Sequence, residues 1–431
     1  MHKPIDILFF SDQMKGHIIP TFKIANNLKQ KGFTLCYLGG QQVMKEVANM
    51  GFDTIVWEDL VDTPEIESNT VNLLLSGVLD ELMKNLSPKL IIATAHSPMD
   101  ILTCYYRYQI ETILVWSHFP IKSNFEKLDL KINLNKDLLF SNKSFSPYLR
   151  TSKAFINDLV RELDPVMVSD FIDFLGTKGY QINSLEDFSN PFEDFHHFIT
   201  CPKQMLMNDI PERAGEIYLG PSLLDHNIYA DKNWDPYQEL GIDRRKAGKL
   251  LFCSMGSWAN RINASSALEN FNFILKCMEE EEMQEYHLIL AAGTLRDHFE
   301  QRGLPSNVSV HKWVPQFKLL QHLSLAIIHG GMGSIKECIL CQVPMLIMPL
   351  GLDQFDNAKR VVHHQLGIEI NDTKLMTPAK GVQKMISILS SERIEKGLTS
   401  MKKVFIAEET QQSDAQFVDE ILNQYIIQTI D

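Results

Sequence analysis

The sequence predicts two α/β domains, each built on an open parallel sheet with helices on both faces. Short apolar runs alternate with segments of helical periodicity through residues 5–116 and again through residues 250–348. The runs are continuously apolar, as in parallel strands that are buried on both faces. The length of 431 residues suits two cores rather than one. Because ligands bind at the carboxyl ends of the strands in such sheets, we expect the domains to face a central cleft.

The first domain begins with a strand predicted at Ile5–Phe10. A loop follows, and then a helix that Pro20 opens and Gly32 ends, since proline is favoured in a first helical turn and glycine just beyond the last one. Residues 120–200 are rich in Phe, Asn and Asp, so we interpret them as a partly helical elaboration of this domain. Further strands are predicted at residues 34–38, 54–57, 90–94 and 112–116.

The second domain repeats this architecture without an obvious sequence repeat. We place the first domain at residues 1–220, a polar and turn-rich linker at 221–248, and the second domain at 249–405. A final helix at 406–431 is expected to pack back on the first domain. The strands of the second domain are predicted at residues 250–254, 286–291, 308–311, 323–328 and 345–348.

The composition excludes several classes of protein. A formal net charge of −13 disfavours a nucleic-acid partner, which would require a basic face. The longest apolar stretch, residues 338–352, is too short and too often interrupted to be a transmembrane segment, and the first residues lack the apolar core of a signal peptide. Seven scattered cysteines suit the reducing cytoplasm, and the close pair Cys338 and Cys341 fits core packing better than zinc.

The segment from His329 to Glu337 is the most informative part of the chain. It joins the strand at 323–328 to a helix predicted from Ile335, and three of four consecutive residues in it are glycine. Glycines let the backbone approach a ligand closely, and the unpaired N–H groups that begin a helix favour an anion. His329 can donate a further hydrogen bond, so we expect a diphosphate here. Ser334 and Glu337 also fit a capping box, so a purely structural role for Glu337 stays open.

Three other segments follow predicted strands of the second domain. Ser257 comes after the first strand, Trp313 and Gln316 after the third, and Asp353 and Gln354 after the fifth. An exposed indole can stack on a base, and a carboxylate and an amide can grip sugar hydroxyls. Two structural alternatives stay open: Trp313 as a buried core aromatic, and Asp353 with Gln354 as the start of a helix.

With these segments, the chain resembles the nucleotide-sugar glycosyltransferases of the GT-B fold, the family of UDP-glucuronosyltransferases, plant glucosyltransferases and bacterial macrolide glycosyltransferases. The resemblance is most specific in residues 250–365. It implies two Rossmann-like domains, the first binding the acceptor and the second binding the nucleotide sugar. The roles it implies are base and ribose binding for Trp313 and Gln316, diphosphate binding for Ser257, His329, Gly331, Gly333 and Ser334, ribose binding for Glu337, and sugar binding for Asp353 and Gln354.

A catalytic base is expected in the first domain. His17 follows the first strand, where an imidazole can accept a proton from an acceptor hydroxyl. The resemblance assigns His17 this role, and with it a direct displacement with inversion. Many relatives carry a supporting aspartate at a place that falls on Thr94 here, and Asp100 is the nearest substitute. No Asp-x-Asp occurs in the chain, so we expect no metal, and no cofactor besides the donor substrate.

The expected function is transfer of a hexose, glucose from UDP-glucose, to a hydroxyl of a small lipophilic acceptor such as a phenol or a polyketide. Phenylalanines of residues 119–195 suggest an apolar acceptor pocket, and they equally fit the cores of small helices. Two alternatives stay open: a deoxysugar transferase that uses a TDP-sugar, and a catalytically silent protein that binds nucleotide sugars. These phenylalanines are Phe119, Phe125, Phe140, Phe145, Phe171, Phe174, Phe188, Phe192 and Phe195.

Overall fold

In a computed structural model, the protein divides into two compact units, each with its own sheet. The first unit is drawn from Met1–Lys203, Ile210–Leu224 and Glu408–Asp431, and the second from Gln204–Asp209 and Asp225–Ala407. The division at Leu224 falls inside the predicted linker. The residues that the structure describes are 3–11, 14–60, 77–95, 98–119, 195–207, 216–222, 234–245, 247–256, 264–351 and 353–410, with a few helical positions between 169 and 177.

Seven strands among the described residues form the sheet of the first unit, in the order β3-β2-β1-β4-β5-β6-β7. All neighbouring strands run parallel, and β1 at the centre is buried along its whole length. The strands are β1 (Ile7–Phe10), β2 (Leu35–Gly39), β3 (Asp53–Val56), β4 (Leu90–Thr94), β5 (Glu111–Trp116), β6 (His196–Ile199) and β7 (Glu216–Tyr218). The helices are α1 (Lys15–Ile18), α2 (Thr21–Gln30), α3 (Gln41–Asn49), α4 (Val78–Leu86) and α5 (Pro98–Tyr108).

The second unit holds a parallel sheet of six described strands, in the order β10-β9-β8-β11-β12-β13. Its central strands β8 and β11 are almost wholly apolar and buried, as the continuous hydrophobic runs predicted. The strands are β8 (Lys249–Ser254), β9 (Tyr286–Ala291), β10 (Val308–His311), β11 (Leu323–Ile328), β12 (Met345–Ile347) and β13 (Gly367–Glu369). The helices are α6 (Pro236–Glu239), α7 (Ala264–Met278), α8 (Arg296–Arg302), α9 (Gln316–Leu320), α10 (Met332–Cys341), α11 (Gln354–His363), α12 (Pro378–Leu389) and α13 (Glu392–Thr410).

The prediction of two α/β domains with parallel sheets is confirmed, but three strands were not predicted. One of them, β6, lies at the end of residues 120–200, which the sequence presented as an elaboration. This strand was not predicted because it begins with two histidines, whereas strands buried on both faces are usually apolar. His197 is fully buried there because its Nδ1 accepts a hydrogen bond of 2.9 Å from Nε1 of Trp116 on the neighbouring strand.

Candidate active site

The carboxyl ends of β8 and β11 form the centre of the candidate donor site. These strands are neighbours, and Ser254 at the end of one is registered with Ile328 at the end of the other. After β8 the chain adds β9 next to it in one direction along the sheet, and after β11 it adds β12 in the opposite direction. Strand order therefore reverses here, and such a switch point opens a crevice in which ligands bind. Gly256 and His329 leave the two strands at this point.

The imidazole of His329 lies in a slot between two glycines, which we call the imidazole slot (Gly256, His329 and Gly331). A Cβ on Gly256 would lie 2.5 Å from Cε1 of the ring, and a Cβ on Gly331 would lie 2.5 Å from Nε2. Both distances are far below van der Waals contact, so only glycine fits at either position. Gly256 also has a φ of +75°, which other residues rarely adopt.

His329 is held in its neutral form by this surrounding. Burial lowers the pKa of His329 to about 4, and the carboxylate of Asp353 and the carbonyl of Ser254 oppose this effect only in part. A neutral imidazole has a single N–H to donate. Its single N–H can donate either to the carbonyl of Ser254 or to an anion, and the residue brings no full positive charge at neutral pH.

Helix α10 begins beside this slot, and its start is open. Gly331 occupies the N-cap position in an extended conformation, and no side chain caps the helix. A Cβ on Gly333 would have no neighbour within 4 Å. The helix begins at Met332, three residues before the predicted start, so Ser334 lies in the first turn rather than at the N-cap. The capping-box alternative is therefore wrong, and the free N–H groups of the first turn suit an anion.

Gln316, Ser334 and Glu337 are joined by hydrogen bonds beside the start of α10. Nε2 of Gln316 donates to Oγ of Ser334 at 3.0 Å and to Oε2 of Glu337 at 2.6 Å. Burial raises the pKa of Glu337 to about 7, although the bond from Gln316 acts in the opposite direction. Glu337 is thus bound to another segment and does not cap its helix. The structure brings together three residues that the sequence separates by up to 21 positions.

Trp313 is exposed, in contrast to the alternative that placed it in the core. Its side chain is 75% exposed, whereas the next residue, Val314, is buried. The indole lies between β10 and α9, on the segment that leads directly to Gln316. An exposed indole at this place offers a flat surface on which a base can stack.

Asp353 and Gln354 are held by a buried polar network at the start of α11. Asn357 donates from Nδ2 to Oδ2 of Asp353 at 2.7 Å and to the carbonyl of Gly330 at 3.0 Å. Oε1 of Gln354 accepts from the backbone N–H of Leu350 at 2.8 Å. Asp353 occupies the N-cap position, as the helix-start alternative requires, but its side chain makes no cap bond.

Asn357 was not singled out from the sequence, yet it ties α11 to the glycine segment. It is fully buried, and Arg360 donates to its Oδ1 at 3.3 Å. The only available signal was its place one helical turn after Asp353, since residues at that spacing share a helix face. Through this residue, the predicted sugar-binding and diphosphate-binding segments form one connected structure.

His17, in the first unit, lies on the four-residue helix α1 just after the carboxyl end of β1. The backbone of this short helix is braced at its end. Oγ1 of Thr21 donates to the carbonyl of Ile18 at 2.7 Å, and Oγ of Ser222 donates to the carbonyl of Pro20 at 2.6 Å. The side chain of His17 is half-buried. Its position after a central strand fits a residue that meets ligands at the edge of the sheet.

Several predicted residues lie partly or wholly outside the described part of the chain. Asp100 lies in the first turn of α5, but its side chain is outside the described part of the chain. Ser257 is also outside it, as are all the predicted acceptor-pocket phenylalanines except Phe119 and Phe195. These two are buried, with exposures of 1% and 7%. Thr94 ends β4 and is buried as well.

His118 was missed by the sequence reasoning. It follows β5 by two residues at the same edge of the sheet, and its ring meets the ring of His17 with centroids 6.4 Å apart. It is 3% exposed. The sequence contained a signal for this residue. His118, like His17, comes shortly after the carboxyl end of a predicted strand.

Comparisons with known proteins agree with this geometry. Residues 297–411 match the family model described as UDP-glucoronosyl and UDP-glucosyl transferase. The uncharacterized UDP-glucosyltransferase YdhE of Bacillus subtilis is 22% identical over 97% of this chain and 98% of its own. The oleandomycin glycosyltransferase of Streptomyces antibioticus is 40% identical over 28% of this chain and 27% of its own.

The solved structures give the same result for the fold. The crystal structure of the glycotransferase of kitacinnamycin matches with a TM-score of 0.68 and 18% identity, over 98% of this chain and 100% of the other. The chain is a glycosyltransferase of the GT-B fold. The expectation of a glycosyltransferase is confirmed. In this glycosyltransferase, the matched family segment contains Trp313, Gln316, His329, Glu337 and Asp353.

No helix within the described ranges is long and apolar enough to cross a membrane. Cys338 is buried and Cys341 is half-buried, and neither belongs to a described group of three or more residues that could hold a metal ion.

Proposed function

We propose that this glycosyltransferase moves glucose from UDP-glucose to a hydroxyl of a small lipophilic acceptor, such as a phenol or a polyketide, with inversion at the anomeric carbon and without a metal ion. The reducing cytoplasm is the proposed compartment, because all seven cysteines are free thiols.

The observation that carries this proposal is the open start of α10 beside the imidazole slot. Three kinds of donor meet there: the N–H groups of the first helical turn, the N–H of neutral His329, and the hydroxyl of Ser334. A diphosphate has oxygen atoms for all of them, and helix N-termini bind phosphate by the same physics. Gly333 has no Cβ, and the space beside it is open, so the diphosphate can approach the protein backbone closely.

The nucleoside would lie on the other side of this helix start. Trp313 supplies the stacking surface for the base. The carboxylate of Glu337, oriented by Gln316, is a bidentate acceptor for the two ribose hydroxyls. The hexose would meet Asp353 and Gln354, whose positions the buried amide of Asn357 fixes.

UDP-glucose is favoured by a relative that matches 97% of the chain and is described as an uncharacterized UDP-glucosyltransferase. A TDP donor carrying a deoxysugar is the second candidate, because stacking on Trp313 does not distinguish one pyrimidine from another. Glu337 provides the discriminating feature. Two ribose hydroxyls can satisfy both of its oxygens, whereas the deoxyribose of TDP offers one hydroxyl fewer.

The reaction we propose is a single displacement. His17 accepts the proton of the acceptor hydroxyl as its oxygen attacks the anomeric carbon from the side opposite the diphosphate. The bond to the β-phosphate oxygen breaks, and UDP leaves with both electrons of that bond. Its added negative charge is met by the helix N–H groups and by His329. The attack from the opposite side inverts the configuration, so an α-linked donor gives a β-glucoside.

The test begins with binding, since the donor site can be judged without an acceptor. Isothermal titration with UDP and TDP should show the tighter binding for UDP, and a preference for TDP would favour the deoxysugar alternative. Incubation with UDP-glucose and a panel of phenols and macrolide alcohols should then add one hexose by mass. Proton NMR of the product should show a β-linkage, and the rate should be unchanged by EDTA.

His17→Ala tests the proposed catalytic base. This variant should bind UDP as tightly as the wild type, because its change lies in the other unit, and should lose at least about 100-fold in kcat with an alcohol acceptor. Near-normal transfer to an alcohol would remove the base from the mechanism. An α-linked product would contradict the single displacement.

A further inference from the structure

A chain of buried hydrogen bonds lies behind the residues that would bind the donor sugar, and it begins at Arg360. In the proposed function, on which this inference rests, Asp353 meets the hexose. Arg360 lies on α11, the helix that Asp353 begins, and it is only 2% exposed. Arginine is seldom so deeply buried unless its guanidinium is paired. The group to which Arg360 donates therefore indicates what it does.

We propose that Arg360 is a positioning residue for the donor sugar. Its guanidinium holds the buried amide of Asn357, and that amide holds one oxygen of Asp353, so that the other oxygen accepts from one sugar hydroxyl in a fixed place. Arg360 thereby makes the enzyme select glucose over the deoxysugar that lacks this hydroxyl. All three residues belong to the second unit, so one compact unit contains the whole chain of hydrogen bonds.

The first link joins Arg360 to Asn357. Nη1 of Arg360 donates to Oδ1 of Asn357 at 3.3 Å. The two residues are three positions apart on α11, so they share a helix face. Asn357 is fully buried, and solvent therefore cannot replace the guanidinium as a donor. A buried carbonyl oxygen without a donor is strongly unfavourable, so the amide would turn towards another partner if Arg360 were removed.

The second link joins the amide of Asn357 to Asp353 and to the glycine segment. Nδ2 carries two hydrogens. It donates to Oδ2 of Asp353 at 2.7 Å and to the carbonyl of Gly330 at 3.0 Å. With Oδ1 held by Arg360, both polar atoms of this amide are bonded. The amide therefore cannot turn without breaking at least one of the three hydrogen bonds.

The third link is the carboxylate of Asp353. Among the described residues, its printed side-chain hydrogen bond is made by Oδ2, and the side chain does not cap α11. Burial lowers the pKa of His329 and the charge of Asp353 opposes this fall, so the carboxylate lies close to that ring. His329 stands beside the start of α10, where the diphosphate would bind. Oδ1 of Asp353 is thus the oxygen left to accept from a sugar hydroxyl next to the diphosphate.

A carboxylate that is held in place discriminates between donors more sharply than one that can turn. A site built to hydrogen-bond a hydroxyl rejects the analogue without it, because the polar group of the protein is then left unpaired. A carboxylate that could turn to another partner would escape part of this penalty. The start of α11 is also packed against the glycine segment, since a Cβ on Gly330 would lie 3.2 Å from the carbonyl oxygen of Gln354.

The experiment measures how the enzyme selects its donor. The donors are UDP-glucose and four UDP-deoxyglucose analogues, each of which lacks one hydroxyl, and kcat/KM is measured for all of them with one acceptor that the wild type glucosylates. One analogue should react at least about 100-fold more slowly than UDP-glucose with the wild type, and Asp353→Ala should remove most of this difference. We call this donor the reference analogue.

Two variants of Arg360 then test the positioning role. Arg360→Met removes the donor group and should lower kcat/KM about 10- to 100-fold for UDP-glucose, but less than about threefold for the reference analogue. Arg360→Lys keeps a donor and should retain most of the selectivity. The affinity of both variants for UDP should stay within about threefold of the wild type in isothermal titration, because UDP has no sugar to meet Asp353.

A double variant separates positioning from packing. If Arg360 acts through Asp353, then Arg360→Met should cost no further selectivity in the Asp353→Ala background. Lys359→Met is the matched control: Lys359 precedes Arg360 on the same helix, its side chain is 49% exposed, and its loss should change the selectivity less than about twofold. If Arg360→Met does not fold, Arg360→Gln takes its place, because its polar amide is too short to reach Oδ1 of Asn357.

Three results would overturn the inference. An equal loss of kcat/KM for UDP-glucose and the reference analogue in Arg360→Met would mean that Arg360 serves packing alone. An undiminished loss of selectivity in the Asp353→Ala background would show that Arg360 does not act through Asp353. Transfer from UDP-glucose without any analogue whose slower reaction depends on Asp353 would refute the selection and leave glucosyl transfer intact. The absence of transfer from UDP-glucose to any acceptor would instead refute the proposed function, and this inference with it.

Discussion

Gly331→Ala should lower the free energy of unfolding because the new methyl group would overlap the ring of His329, and the structure gives the size of this effect. The new Cβ would lie 2.5 Å from Nε2 of the ring, which is 0.9 Å short of the 3.4 Å at which ordinary contacts begin. The ring cannot move away freely, because Gly256 closes the other side of the slot. We expect an overpacking cost of about 1–3 kcal/mol.

The backbone makes no contribution to this cost. Gly331 has φ −63° and ψ 133°, which alanine adopts without strain. Replacing glycine in an unstrained conformation stabilises by about 0.4–1 kcal/mol, so the net loss in the free energy of unfolding should be roughly 1–2 kcal/mol. In the background of His329→Ala the overlap disappears, and Gly331→Ala should then be neutral or stabilising.

The assay is urea unfolding of the two single variants, the double variant and the wild type, which together form a double-mutant cycle. Gly333→Ala is the stability control: it is the same change two residues later, where a Cβ has no neighbour within 4 Å. Equal destabilisation by Gly331→Ala with and without His329 would refute the imidazole slot. So would a loss of stability in Gly333→Ala as large as in Gly331→Ala.

Three further predictions concern the donor site. Trp313→Ala should leave stability unchanged, because the indole is 75% exposed, and should weaken UDP binding by about 1–3 kcal/mol in isothermal titration; unchanged affinity would exclude stacking. Since the pKa of Glu337 is about 7, UDP affinity should fall between about pH 8 and about pH 6, and Glu337→Gln should abolish this slope while Gln316→Leu moves it to higher pH. The pKa of His329, about 4 against 6.5 when unfolded, means that the unfolded chain binds the proton first. Stability should thus be full above about pH 6.5 and fall by roughly 3 kcal/mol towards pH 4 in urea unfolding, and His329→Asn should flatten this slope.

The strands that carry the site could be predicted because they are buried on both faces. Leu90–Thr94 and Tyr286–Ala291 have the predicted bounds and are mainly apolar, and Val308–His311 also has the predicted bounds although it alternates apolar and polar residues. The residues after such runs are functional candidates for a simple reason: parallel strands end at the same edge. For the same reason, Ser257 and His329 could both be placed at this edge of the sheet from the sequence.

The start of α10 could not be predicted from local patterns. Ser334 and Glu337 fit a capping box, and glycine has a low helix propensity, so a helix from Ile335 was the natural prediction. The structure extends the helix back over Gly333, because tertiary contacts outweigh propensity. Ser334 and Glu337 are both bonded to Gln316, which lies on another segment, and a single sequence contains no signal for that pairing.

Among the described residues, the charges of the donor site point to binding by dipoles rather than by cations. His329 is neutral at pH 7 because it is buried, and about half of Glu337 is protonated, so neither brings a full charge before the donor arrives. The diphosphate would be held by N–H groups that are fixed in place by the backbone and cost little reorganisation. Such a site gains most where the charge increases, which is on the β-phosphate as the glycosidic bond breaks. Placing a permanent cation there would bind the product as strongly as the transition state, and would slow the release of UDP without lowering the barrier.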